Sequence, residues 1–130
     1  YSKITKNVMF IYYNANPRGR RVNDCTVRAI SLATNKSWDE TYEELSKFAQ
    51  AQAIMLDDVI YIDEYLERKF DMICGCKNNY KITVGDFVRE NPEGIYLITM
   101  NGHITCAING HIYDTFDPSD RLVWGAYRVK

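Results

Sequence analysis

Asn109–Gly110 stands between two runs of alternating apolar residues, 103–108 and 111–116, and a dipeptide of this kind commits the chain to a tight β-hairpin. A type I′ turn needs positive φ at both corners, which asparagine and glycine adopt at little cost. The turn sets the register. With Asn109 and Gly110 at its corners, Ile108 faces His111, Thr105 faces Asp114 and His103 faces Phe116. Side chains 103, 105 and 107 then share a face with 112, 114 and 116, and His103 and Asp114 become diagonal neighbours across the pair. A slip of one residue would turn every side chain to the other face and exchange these assignments.

Around the hairpin, residues 94–100 and 122–128 read as two more strands, so the C-terminal part predicts a sheet of four consecutive antiparallel strands. The part before it is mainly helical. Residues 8–13 suggest a first strand or extended arm, and the Asn-, Pro- and Gly-bearing stretch 14–21 a loop. Asp24 or Asn23 is placed to cap a helix running to about residue 34, with Val27, Ile30 and Leu32 on its apolar stripe. Ser37–Trp38–Asp39–Glu40 spells a capping box that opens a second helix to about residue 51, and Trp38, Tyr42, Leu45, Phe48 and Ala49 recur on it at core-facing spacing. A third helix over 59–69 turns Ile62, Tyr65 and Leu66 inward. Asp57, Asp58, Asp63 and Glu64 read as a charged, water-facing surface, since they lack the calcium-loop spacing. Residues 70–74 suggest a short strand, Gly75, Asn78 and Asn79 a loop, and Thr83 the cap of a short helix that Asn91–Pro92 ends. Helices first and sheet second predict one α+β domain over residues 1–130, with the helices packed on one side of the sheet.

Composition narrows the function. The 130 residues are 46% hydrophobic and 25% charged with a net charge of −1, so no global field recommends nucleic acid or an anionic membrane as partner. No signal-peptide pattern opens the sequence and no apolar run approaches the roughly 20 residues of a membrane span. Of the four cysteines, 25, 74, 76 and 106, only Cys74 and Cys76 lie close together, and their spacing is too short for a zinc pair. A helix-rich chain of this length predicts free thiols in a reducing, cytoplasmic compartment.

Cys25 falls in the first turn of the first helix. Unpaired N–H groups and the helix dipole favour a thiolate there, so the sequence places a candidate nucleophile at this point. A nucleophilic thiol needs a base, and His103 oriented by Asp114 supplies the imidazole and carboxylate of such a system. His111 falls on the opposite face, and Asp117 has the wrong parity for His103. Arg18, Arg20 and Arg21 make one local basic patch beside the nucleophile, either as a solvated loop or as a contact for an acidic partner.

Asn23–Asp24–Cys25–Thr26–Val27–Arg28–Ala29–Ile30, the segment 102–110 with its Gly102–His103 start, and Tyr113–Asp114–Thr115–Phe116–Asp117 together resemble the small papain-like cysteine peptidase domains of phages and bacteria. The resemblance implies Cys25 as nucleophile at the start of the central helix, His103 as base and Asp114 as orienting residue. It also implies a protein or peptide substrate and no metal or organic cofactor. Papain-like enzymes carry a glutamine several residues before the cysteine to stabilise the oxyanion, and residues 17–21 contain none. The backbone N–H of Cys25, with an amide from Asn23 or Asn16, stands in its place. Two functions therefore enter from the sequence: a thiol hydrolase or acyltransferase acting on peptide or isopeptide bonds, and a catalytically silent papain-like scaffold of a phage or mobile element that blocks a host protein. Arg18, Arg20, Arg21 and some of the ten tyrosines would serve as the contact surface of the second.

Overall fold

Successive side chains along the central strands are buried on opposite faces of a mixed sheet, which organises the molecule into two cores. The computed structural model describes residues 8–74 and 82–130, with Cys74 described in its backbone only. Gly75, Cys76, Asn78 and Asn79, expected as a loop, lie outside the described residues. Within them the chain runs β1 (Met9–Tyr12), α1 (Cys25–Thr34), α2 (Trp38–Gln52), α3 (Val59–Lys69), β2 (Asp71–Cys74), α4 (Val84–Glu90), β3 (Ile95–Met100), β4 (His103–Ile108), β5 (His111–Asp114) and β6 (Gly125–Arg128). The strands lie in the order β1-β5-β4-β3-β6-β2, and this is an α+β architecture.

β3, β4 and β5 form the expected antiparallel meander, with Ile108 opposite His111 as the turn dictates. Asn109 and Gly110 take φ of 49° and 84°, the positive pair that a type I′ corner requires. The last strand departs from expectation. β1 pairs parallel with the outer edge of β5, so β6 crosses back to pair with the free edge of β3, and the sheet is mixed instead of four consecutive antiparallel strands. Leu122 stays half exposed outside the strand and makes only an isolated bridge to Thr83.

The helices also divide between the two faces. Leu97, Ile104, Cys106 and Tyr127 meet α1 and α3 on one side, whereas Tyr96, Ile98, Met100 and Ala126 meet α4 on the other. The physical reason is the near-continuous apolar run of β3, which buries side chains of both parities and therefore needs cover on both faces. Helices on one side only would have left half of that run in water.

Local signals set the helix boundaries. Ser37 Oγ accepts from the Glu40 N–H while Glu40 Oε1 accepts from the Ser37 N–H, the complete capping box that starts α2. Thr83 caps α4 by accepting from the Asp86 N–H. Two inward and outward assignments are reversed. Tyr42 is 45% exposed, stacked on Trp38 instead of buried. Asp63 is buried, because Tyr127 Oη and Thr99 Oγ1 both donate to its Oδ1, at 2.6 and 3.0 Å. Among the described residues no helix is long and apolar enough to cross a membrane.

Candidate active site

The loop before α1 is folded on its own side chains. Asn16 Oδ1 accepts from the Arg18 and Arg20 N–H groups, the Gly19 N–H returns to the Asn16 carbonyl, and Asn14 Nδ2 donates to the Arg20 carbonyl. Asn16 Nδ2 then ties this loop to Asp24 Oδ2 at 3.1 Å. Asp24 occupies the N-cap position of α1, yet its side chain caps nothing. Its carboxylate is buried and instead accepts from Arg28 Nε at 2.7 Å and from Trp38 Nε1 at 3.0 Å. The first-turn N–H groups around Cys25 are thus left without a side-chain cap, and the positive end of the helix dipole falls on the thiol.

The other half of the site comes from two hairpins. Met100 pairs with His103, so Asn101 and Gly102 form the β3–β4 corner, with Gly102 at φ 72°, and His103 begins β4 immediately after it. Asp114 ends β5 and brings Oδ2 within 2.7 Å of His103 Nε2. Both side chains are buried. Asp114 Oδ1 accepts from the Thr115 N–H at 2.7 Å and lies 3.4 Å from Arg28 Nη1. The Phe116 ring packs on the imidazole with centroids 4.6 Å apart. With Nε2 engaged by the carboxylate, Nδ1 is the ring nitrogen left for Cys25.

The electrostatics follow from these contacts. Burial pushes the Cys25 thiol up, but a hydrogen bond and charge from His103, the Ile104 N–H and the Arg28 charge together hold it below the ordinary value. Burial disfavours protonated His103, yet its hydrogen bonds to Asp114 and Cys25 and their charges outweigh it and raise its pKa to about 9. Asp114 is pushed up by burial and held below the usual carboxylate range chiefly by the hydrogen bond and charge of His103. Each group favours the charged form of its neighbour: imidazolium beside the thiol draws it toward thiolate, and the Asp114 carboxylate holds the proton on the ring. Cys106 shows the contrast: fully buried and facing the Asp114 charge, it is pushed up to about 12.

Cys25 and His103 open onto a cleft of about 320 Å³. Arg20, Arg21, Val22 and Asn23 line it from the loop side, and Gly102, Thr115 and Phe116 from the hairpin side, with Asp57 also in its wall. Of the residues singled out in the sequence, Cys25, His103 and Asp114 come together, while Asn23, Arg20 and Arg21 reach the cleft. Arg18 and Asn16 do not line it. The Asn16 amide is occupied by Asp24 and the loop backbone, which leaves Asn23 as the side-chain amide beside Cys25.

Arg28 is the residue that motif reasoning passed over. Its guanidinium joins Asp24 at the helix start to Asp114 and Thr115 Oγ1 at the end of β5, thereby fixing the nucleophile's helix to the strand that orients the histidine. The i,i+4 spacing from Asp24 to Arg28 carried the local half of that signal. No family model matches the chain, and neither does any curated protein or solved structure.

Proposed function

We propose that the chain is a papain-like thiol hydrolase that cleaves peptide or isopeptide bonds through Cys25, His103 and Asp114. The observation that carries this reading is the hydrogen bond of the Asp114 carboxylate to His103 beside Cys25, a thiol whose pKa, against its burial, His103 does most to lower, at an uncapped helix start facing an open cleft. An ordinary buried cysteine has none of these features, as Cys106 illustrates.

In the proposed reaction the Cys25 thiolate attacks the carbonyl carbon and the oxyanion forms beside the Cys25 N–H and the Asn23 amide. His103 Nδ1–H protonates the leaving amine, and a thioester joins substrate to Cys25. Neutral His103 then takes a proton from water, whose oxygen attacks the thioester and restores the free thiol. Asp114 stays ionised throughout and holds the ring through Nε2. Transfer to an amine in place of water would make the same site an acyltransferase.

The test is the rate of iodoacetamide alkylation at Cys25 against pH, read by mass spectrometry of the modified peptide. A thiol with an ordinary pKa of about 8.5 is only about 0.3% ionised at pH 6. Wild-type Cys25 is expected to react more than tenfold faster at pH 6 than that fraction allows, and His103→Ala to remove the excess. An ordinary profile, unchanged by His103→Ala, would overturn the hydrolase and leave the cleft as a binding surface.

A further inference from the structure

The candidate cleft does not end at its own walls. A second hollow of about 300 Å³ adjoins it, sharing Val22 and Asn23 as common wall, and Leu56 lines the second where its chain neighbour Asp57 lines the first. Val27, Trp38, Tyr42 and Met55 complete this hollow, together with Asp24, whose carboxylate is already held by Arg28, Trp38 and Asn16. Val22, Tyr42 and Met55 are 52%, 45% and 69% exposed, three large apolar side chains held open to water around one depression. The Trp38 and Tyr42 rings stack at 5.0 Å, which makes a rigid aromatic wall. Side chains of these types are the ones that carry binding energy when a partner covers them.

Charge distinguishes the two hollows. Arg20 and Arg21 line the cleft at Cys25, and neither takes part in an ion pair among the described residues, whereas Arg28 is already held by Asp24 and Asp114. Asp57 is the one carboxylate among the residues lining that cleft. An occupant that places a carboxylate there meets two free guanidinium groups, whose planar forks match it.

We infer that cleft and groove form one continuous site for an extended polypeptide, which seats a large apolar side chain against Trp38, Tyr42 and Met55 and an acidic side chain against Arg20 and Arg21. The assignment rests on the hydrolase reading for which residue cuts, and on continuity and charge complementarity for what is bound. Segments combining aromatic or long aliphatic residues with aspartate or glutamate are the substrate class. Basic segments are disfavoured by the same arginines.

The experiment uses a randomised peptide library, with newly formed termini identified by mass spectrometry, and three proteins: wild type, Met55→Lys, and the double variant Arg20→Glu/Arg21→Glu. All three positions are exposed, so the substitutions leave the core intact. Wild type is expected to enrich a large apolar residue and Asp or Glu at fixed distances from the cut bond, each about tenfold. Met55→Lys should lose the apolar enrichment, and the double variant should replace Asp and Glu by Lys and Arg. The same library is passed over immobilised Cys25→Ala protein. Cleavage with flat or unaltered preferences overturns the inference and keeps the hydrolase. Retention of apolar, acidic peptides on Cys25→Ala without cleavage by wild type supports the binding site and refutes the hydrolase. Neither cleavage nor retention overturns the inference.

Discussion

Arg28→Met is the perturbation that most directly probes how the site and the fold are joined. Methionine keeps the length and apolar stem of the arginine but removes the guanidinium, leaving two nearly inaccessible carboxylates, Asp24 and Asp114, without their shared cation. Breaking a buried ion pair from one side costs about 3–5 kcal/mol. The lower end applies here, because Asp24 keeps donors from Asn16 and Trp38 and Asp114 keeps His103 and the Thr115 N–H. With roughly 2.1 cal/mol/K of unfolding entropy per residue over 130 residues, a loss of about 3 kcal/mol lowers Tm by about 11 °C. The loss also depends on pH. In wild type the Asp114 pKa is pushed up by burial but depressed overall, chiefly by its His103 hydrogen bond, so its stabilisation is present above the unfolded value of about 3.9 and disappears below it. With a cation removed from its side that depression is smaller, so the deficit is full near pH 7.5 and shrinks once the pH falls through the carboxylate range to about 3. Urea unfolding of both proteins at those two pH values reads the difference. A deficit below about 1 kcal/mol at pH 7.5, or one that does not shrink at about pH 3, would refute the view of Arg28 as the clamp between α1 and β5.

Other consequences follow from single contacts. His103, lowered by burial but raised overall to about 9 by Asp114 and Cys25, contributes stability that is fully present below its unfolded pKa of about 6.5 and lost as pH rises through about 9; wild-type Tm should fall between pH 7 and 10 more steeply than that of His103→Ala, and equal slopes would refute the assignment. Asp63→Ala strips the acceptor from the buried hydroxyls of Tyr127 and Thr99 and should cost about 2–4 kcal/mol in urea unfolding, whereas Asp63→Asn keeps Oδ1 and should cost less than half as much. Gly94→Ala puts a Cβ 2.7 Å from the Lys130 carbonyl at φ 105°, and should cost about 2 kcal/mol or more. Gly110→Ala, at φ 84° with no atom nearer than 3.6 Å, should cost only about 1 kcal/mol, and reversal of that order would contradict the close packing of the C-terminus on Gly94.

What the sequence disclosed, and what it hid, divides along sequence distance. Asn109–Gly110 made the β4–β5 register legible because positive φ at both corners is a property of the dipeptide itself, and the placement of His103 beside Asp114 followed from counting outward from it. The capping box of α2 was legible for the same reason, since its partners are three residues apart. Asp24 takes the N-cap position that the sequence offers, but its side chain does not cap, because the groups that draw it away include Trp38 and the Asn16 amide, 14 residues on and 8 residues back. Asp63 reads as a surface charge until Thr99 and Tyr127 arrive from 36 and 64 residues away. The return of β6 to β3 depends on β1 occupying the edge of β5, and no local pattern encodes that competition.

The diverted carboxylate of Asp24 links these strands of the argument. A capping aspartate would accept from the first-turn N–H groups and add about 1 kcal/mol to helix stability, and it would set a negative charge beside the thiol. Such a charge disfavours a thiolate. Arg28 and Trp38 draw it aside and neutralise it, so the same two contacts that anchor α1 to α2 and β5 leave the helix start open and positive at Cys25. On this account the lowered pKa of the thiol is a product of tertiary packing as much as of its place on the helix. Its place on the helix is only part of what bears on that pKa: against burial, His103 does most to lower it, and the Ile104 N–H and the Arg28 charge add to the effect, so the Arg28 clamp belongs to the electrostatics of the site.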